Sequence, residues 1–200
     1  SSGRSRCVAR AGRVVVRARD LESLRLYARR CLELVWWCEN AASLGVHTTA
    51  LVQGDMLGGG LESALAHHTV IMERSAQAGY PEVLFNLFPG MGGWNLTIRK
   101  AGLAVANDMV LSGQIYTAEQ LQRRGLVEYV ADDGAGEVLL DGHVRAMEPR
   151  FRGTIAALQA RRVAAPIAYE SLQTIIDHWA ATAMGLSNRD MRLMERLARA

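Results

Sequence analysis

Glu62 and Glu82 are the side chains in this sequence best placed for acid–base chemistry. Glu62 follows Gly58-Gly59-Gly60 by two residues, and Glu82 follows Pro81 directly. Burial near one glycine turn would raise both carboxyl pKa values, and a carboxyl raised toward neutrality can deliver or accept a proton. The triple glycine lets backbone approach a ligand closely. The first amides of a helix opening there are unpaired and lie at its positive end. Such a turn suits a phosphate or a developing oxyanion, and it equally suits a tight packing corner. It is not a Walker loop, since no Gly-Lys-Ser/Thr follows, and its spacing is not that of a dinucleotide fingerprint. Residue types alone leave the two glutamates open between catalysis and ordinary charge.

The remaining candidates read as structural. His67 and His68 fall at the end of a short helix, where capping is their ordinary role. His47, His143 and His178 have no metal-ligand spacing. Cys7, Cys31 and Cys38 form no CxxC pair and are too few and too clustered for a disulfide framework, which fits a reducing cytoplasm. No Gly-x-Ser-x-Gly elbow occurs. Met184, Met191 and Met194 sit at helical spacing and read as core. No metal or cofactor site is expected.

The elements that must position these residues alternate between strand and helix. From Asp20 to Gly45 apolar residues recur at spacings of three and four (Leu21, Leu24, Ala28, Cys31, Leu32, Val35), with Asp20 as N-cap. Residues 48–52 form a strand candidate that runs into the glycine turn and a helix carrying Glu62. A second strand candidate is 69–72. The apolar stretch 83–88 lies between Pro81 and Pro89. Helices are expected over 94–102 and 104–111. Thr117-Ala118-Glu119-Gln120 has the form of a capping box, and 126–130 is a third strand candidate. From Gly136 onward the pattern is helical, with breaks near Pro149, Pro166 and Gly185. The class is α/β with a C-terminal helical extension: an atypical lead-in over 1–19, a core over 20–148 and a helical region over 149–200.

Composition sets the outer bounds. Half of the 200 residues are hydrophobic and 22% are charged with both signs, so the chain can bury a sizeable core and is no disordered polyelectrolyte. No apolar run approaches the roughly 20 residues of a membrane span, and no signal peptide is visible. The formal net charge of +3 is uneven: residues 1–30 hold nine Arg against Asp20 and Glu22, and the rest is net acidic. Without interleaved aromatics, that Arg-rich lead-in reads as a solvated segment and not as a nucleic-acid surface.

Three strings carry a resemblance. Leu51-Val52-Gln53-Gly54-Asp55-Met56-Leu57-Gly58-Gly59-Gly60-Leu61-Glu62 resembles the glycine-rich turn of the crotonase (enoyl-CoA hydratase/isomerase) superfamily. Tyr80-Pro81-Glu82-Val83 resembles its second acidic motif, and Phe88-Pro89-Gly90-Met91-Gly92-Gly93 the turn that follows, in order and at family spacing. The stretches 81–92, 116–121 and 125–127, with Trp179, Thr182-Ala183-Met184 and Arg196-Leu197, are similar to the diffusible signal factor synthase branch. Asn86 and Gly93-Trp94 depart from that branch.

The resemblance implies a β-β-α spiral with a C-terminal helical trimerisation region. It implies Glu62 and Glu82 as the catalytic pair, the Gly59 amide as one oxyanion donor, and Leu57, Gly58, Met91 and Trp179 as acyl-pocket lining. The activity implied is hydration or dehydration of acyl carrier protein or coenzyme A thioesters, with thioester hydrolysis releasing a cis-2-unsaturated fatty-acid signal. A homotrimer or hexamer and a sensor kinase as regulatory partner belong to the same reading. Much of the family's N-terminal half, with the second oxyanion donor, has no counterpart here; Arg6 and Cys7 stand near where its loop glycines belong. Either the sequence omits part of the protein or the domain is shortened. The rivals are a general enoyl-CoA hydratase or isomerase, and a non-catalytic scaffold or regulatory binding protein.

Overall fold

The structure, a computed structural model, describes residues 19–197. The short β-like run at 14–16, Arg6 and Cys7 lie outside the described residues. The first helix, α1 (Leu21–Asn40), opens as its sequence requires: the Asp20 carboxylate accepts from the Glu22 amide at 3.1 Å and from Ser23 Oγ at 2.5 Å. Leu24, Ala28, Leu32 and Val35 form its buried stripe. A 3-10 turn (Ala41–Leu44) and left-handed Gly45 end it.

Successive strands then feed two small sheets. Strands β1 (Thr49–Val52), β3 (Thr69–Glu73) and β6 (Tyr129–Ala131) make one parallel sheet in the order β1-β3-β6. All five residues of β3 are buried, as expected for a parallel strand covered on both faces. Strands β2 (Met56–Leu57), β4 (Gln77–Gly79) and β5 (Ile115–Thr117) make the other, β2 parallel and β5 antiparallel to β4. Each circuit of the chain thus visits one strand of each sheet and then a helix: β1, β2 and α2 (Gly59–Leu65), then β3, β4, a 3-10 turn (Pro81–Phe85), α3 (Gly93–Ala101) and α4 (Leu103–Ser112). The short α5 (Ala118–Arg123) opens with the expected capping box, Thr117 and Gln120 each bonding the other's backbone amide.

Strands β2, β4 and β5 are additions to the sequence reading. At two or three residues they are too short to show alternation, and β2 lies inside the stretch read as a glycine turn. The third strand candidate starts later than expected, at Tyr129. Leu126 and Val127 precede it as fully buried loop, the Leu126 amide donating to Leu121 O at 3.0 Å.

Helices α6 (Gly136–Met147), α7 (Phe151–Ala164), α8 (Tyr169–Met184) and α9 (Asn188–Leu197) complete the described residues, broken near Pro149, Pro166 and Gly185 as expected. Leu172, Ile176, Ala180 and Ala183 of α8 are buried. Leu172 and Ile176 pack with Ala28 and Leu32 of α1. Leu186 and the partly buried Met184, Met191 and Met194 close over Leu24, Phe85 and Leu87. The apolar C-terminal residues therefore find much of their burial within this chain. Val138, Val144 and Val163 of α6 and α7 stay exposed. No helix among the described residues is long and apolar enough to cross a membrane.

Candidate active site

Strand β2 ends where Gly58 turns the chain into α2. Gly58 has φ +56°, a left-handed conformation that residues with a Cβ rarely adopt. Its amide donates to Gly79 O at 2.9 Å, which fixes the turn against the end of β4. A Cβ there would overlap Glu82 Oε1, so glycine is needed on both counts. Gly59 is the first residue of α2, where an amide has no acceptor within the helix. The Met91 methyl group occupies the space a Gly59 Cβ would take, and Glu62 Oε2 is 4.0 Å from that point.

Glu62 is 1% exposed. Its Oε1 accepts from two backbone amides, Met91 N and Gly93 N, both at 2.7 Å. Burial pushes its pKa up to about 7, while the Gly93 and Met91 amides, which favour the charged form, pull against that rise. Glu82, in the Pro81–Phe85 turn, is also buried. Its Oε2 has no hydrogen-bond partner among the described residues. Burial, and then the nearby Glu62 charge, push it up to about 8. Two carboxyls so placed cannot readily ionise together, so the pair keeps its protons to higher pH than free carboxyls do. Tyr80 lies fully buried, its hydroxyl 3.1 Å from Thr97 Oγ1.

The sequence-derived site residues thus converge. Glu62, Glu82, Gly58, Gly59 and Met91 meet around one turn, with Leu57 leading into it on β2. Trp179 arrives from α8 and lies against Gly90, where a Cβ would overlap its ring; it bears on the turn that carries Met91. The amides of Met91 and Gly93, which hold Glu62, are the groups of the candidate site that residue reasoning missed. Their signal was present in the Pro89-Gly90-Met91-Gly92-Gly93 string, since a glycine turn before a helix leaves amides free to hold an anion.

The sequence model of the enoyl-CoA hydratase/isomerase family matches residues 34–178. The chain belongs to that family. It is 36% identical over 115 residues to 2,3-dehydroadipyl-CoA hydratase of Escherichia coli K12, covering 58% of this chain and 44% of that enzyme. Among solved structures it is similar to an enoyl-CoA hydratase from Mycobacterium avium subsp. paratuberculosis (TM-score 0.68, 20% identity, 86% of this chain and 70% of that one). It is also similar to Pseudomonas aeruginosa DspI (TM-score 0.55, 31% identity, 78% and 56%). The first of these structural likenesses speaks for the fold alone. The chain spans less than half the length of the curated relative it matches. Three of the histidines, His47, His68 and His143, gather with one another. The rings of His47 and His68 are 5.2 Å apart and those of His47 and His143 5.8 Å, but His68 Nδ1 accepts from the Thr48 amide at 3.0 Å, a structural role. Among the described residues no group of three or more His, Cys, Asp or Glu is placed to hold a metal ion.

Proposed function

We propose that this chain carries the acid–base half of an acyl-thioester hydratase/dehydratase. The observation that carries the reading is the pair of buried glutamates on either side of the Gly58–Gly59 turn, with pKa values of about 7 and about 8. The thioester carbonyl oxygen sits at the Gly59 amide, which stabilises the enolate as charge moves onto it. Glu62, steadied by two amides, is the carboxylate that takes a proton from water as its oxygen adds to C3. Glu82, with the higher pKa and a free oxygen, holds the proton delivered to C2. Dehydration of a 3-hydroxyacyl thioester runs the same steps in reverse.

The finer reading is that the substrate is an acyl carrier protein thioester and the product a free cis-2-unsaturated fatty acid that serves as a signal. The strings over 81–92, 116–121 and 125–127 and the position of Trp179 support it. On this reading water attacks the thioester carbonyl and gives a proton to one glutamate, the C–S bond breaks, and the carrier thiol leaves with a proton from the pair. A cytoplasmic homotrimer or hexamer, with the exposed valines of α6 and α7 among its contacts, and a sensor-kinase partner accompany that proposal. The names of the relatives favour a second, broader reading as an enoyl-CoA hydratase. Incubation with 3-hydroxyacyl groups on carrier protein and on coenzyme A, followed by mass spectrometry, separates the two. Free cis-2-enoic acid from carrier protein alone supports the finer reading, and reversible hydration of the coenzyme A thioester without hydrolysis supports the broader one. No turnover of either substrate would overturn both and leave the scaffold role.

A further inference from the structure

The turn that holds Glu82 is tied to the C-terminal helices by one polar contact that no catalytic motif requires. Asn86 closes the Pro81–Phe85 turn in the left-handed conformation, φ +58° and ψ +35°. Its backbone amide reaches back to the carbonyls of Glu82 and Val83, and the Leu87 amide donates to Glu82 O at 3.0 Å. The peptide that leaves Glu82 is thus fixed by residues 86 and 87. Glycine would serve this backbone at least as well, so the conformation does not explain the carboxamide. The carboxamide points elsewhere: Asn86 Nδ2 donates to Asp190 Oδ1 of α9 at 2.9 Å. The other Asp190 oxygen accepts from the Ser187 amide at 2.9 Å and from Ser187 Oγ at 2.6 Å, closing the first turn of α9. One carboxylate therefore both caps α9 and grips the turn of Glu82.

The neighbours on either side, Phe85 and Leu87, are buried against Ala180, Ala183 and Leu186. Apolar packing of that kind is non-directional and supplies no hydrogen-bond register of its own. The bond from the Asn86 carboxamide to the Asp190 carboxylate is directional and favours one register. Two further contacts of α8 fall on the same segment: the His178 ring stacks on Phe88 with centroids 5.2 Å apart, and Trp179 lies on Gly90. The segment they hold also carries the Met91 and Gly93 amides that grip Glu62.

We infer that Asn86 is a positioning residue, through whose bond to Asp190 the C-terminal helices set the place of Glu82 relative to the glycine turn. The inference rests on the reading of Glu82 as a reacting group.

Two measurements test it. In Asn86→Asp the donor is lost and two carboxylates face each other; turnover of an enoyl-CoA thioester should fall about 10-fold in kcat with KM little changed. Adding Asp190→Asn exchanges donor and acceptor across the contact and leaves an oxygen for Ser187, so the double variant should recover most of the lost kcat. A role confined to stability would move the melting temperature without this split or recovery, and that result would overturn the inference. Asn86→Gly keeps the left-handed backbone and changes no charge. Carboxyl-carbon NMR of Glu82 in this variant, which needs no activity, should give a displaced titration midpoint. An unchanged midpoint with unchanged kcat also overturns it. Glu82→Gln run in parallel separates the two readings: full turnover there refutes the catalytic role of Glu82, whereas loss of turnover beside an unaffected Asn86→Asp refutes only the positioning role.

Discussion

Glu62 and Glu82 differ less in burial than in what their oxygens meet. One Glu62 oxygen is held by two amides, whereas a Glu82 oxygen is left without a partner among the described residues. Glu→Gln retains size and removes proton transfer, so each single substitution should lower turnover by roughly 100-fold or more with folding intact. The double substitution should cost far less than the product of the two, because the residues act as a unit. Steady-state kinetics beside circular dichroism checks this, and near-wild-type turnover in both single variants would refute the assignment. Gly58→Ala should be as damaging by another route, through φ +56° and overlap with Glu82 Oε1, with a lowered melting temperature as its mark. The glutamates and glycines of the site were legible because their chemistry is carried by residue type and order. For the amides holding Glu62 the glycine turn was visible but its partner was not, since they lie 29 and 31 positions away and any residue type can supply one. Nor was the bond between Asn86 and Asp190, 104 positions apart.

The elements that position the site were legible in proportion to their length. Helix α1, β1, β3 and the capping box of α5 announce themselves by periodicity or by a local hydrogen-bond pattern. Strands of two or three residues do not. They form because β4 is already held beside Gly58 and Ile115, a tertiary circumstance absent from any short window. Among the longer elements, α8 has the largest structural task. It packs Leu172 and Ile176 on α1 and places Trp179 on Gly90. Ile176 is fully buried, so Ile176→Ala should cost about 2–5 kcal/mol in urea unfolding. The pairing of Arg99 on α3 with Glu39 at the end of α1 is nearly as enclosed, both side chains 5% exposed. Removing one partner strands a buried charge, so Glu39→Ala should cost about 3–5 kcal/mol, and replacing both by apolar residues much less. A double-mutant cycle in urea measures the difference.

For the whole molecule, pH acts through two opposed sets of groups. Glu62 and Glu82 titrate at about 7 and about 8 in the folded chain against an ordinary value of 4.5. The folded state therefore holds more protons than the unfolded one across that interval. Stability is greatest below it and falls as pH rises toward about 8. His68 runs the other way. Burial, then the neighbouring His47, bring it down to about 4 from 6.5. Its contribution is present above 6.5 and lost as pH falls through 4. Across that interval two carboxyls outweigh one imidazole, so urea midpoints should fall as pH rises from about 5 to about 8, and Glu82→Gln should flatten that fall. A curve still rising at pH 8 would contradict the burial of the pair. The grip of Met91 N and Gly93 N on a single carboxylate oxygen gives the molecule its own optical-free indicator. Each of these two amide protons senses the ionisation of Glu62 directly, so their resonances should shift together with pH, with one shared midpoint. A ligand that fills the turn and changes the charge of Glu62 would move that midpoint, reporting occupancy in the absence of any turnover.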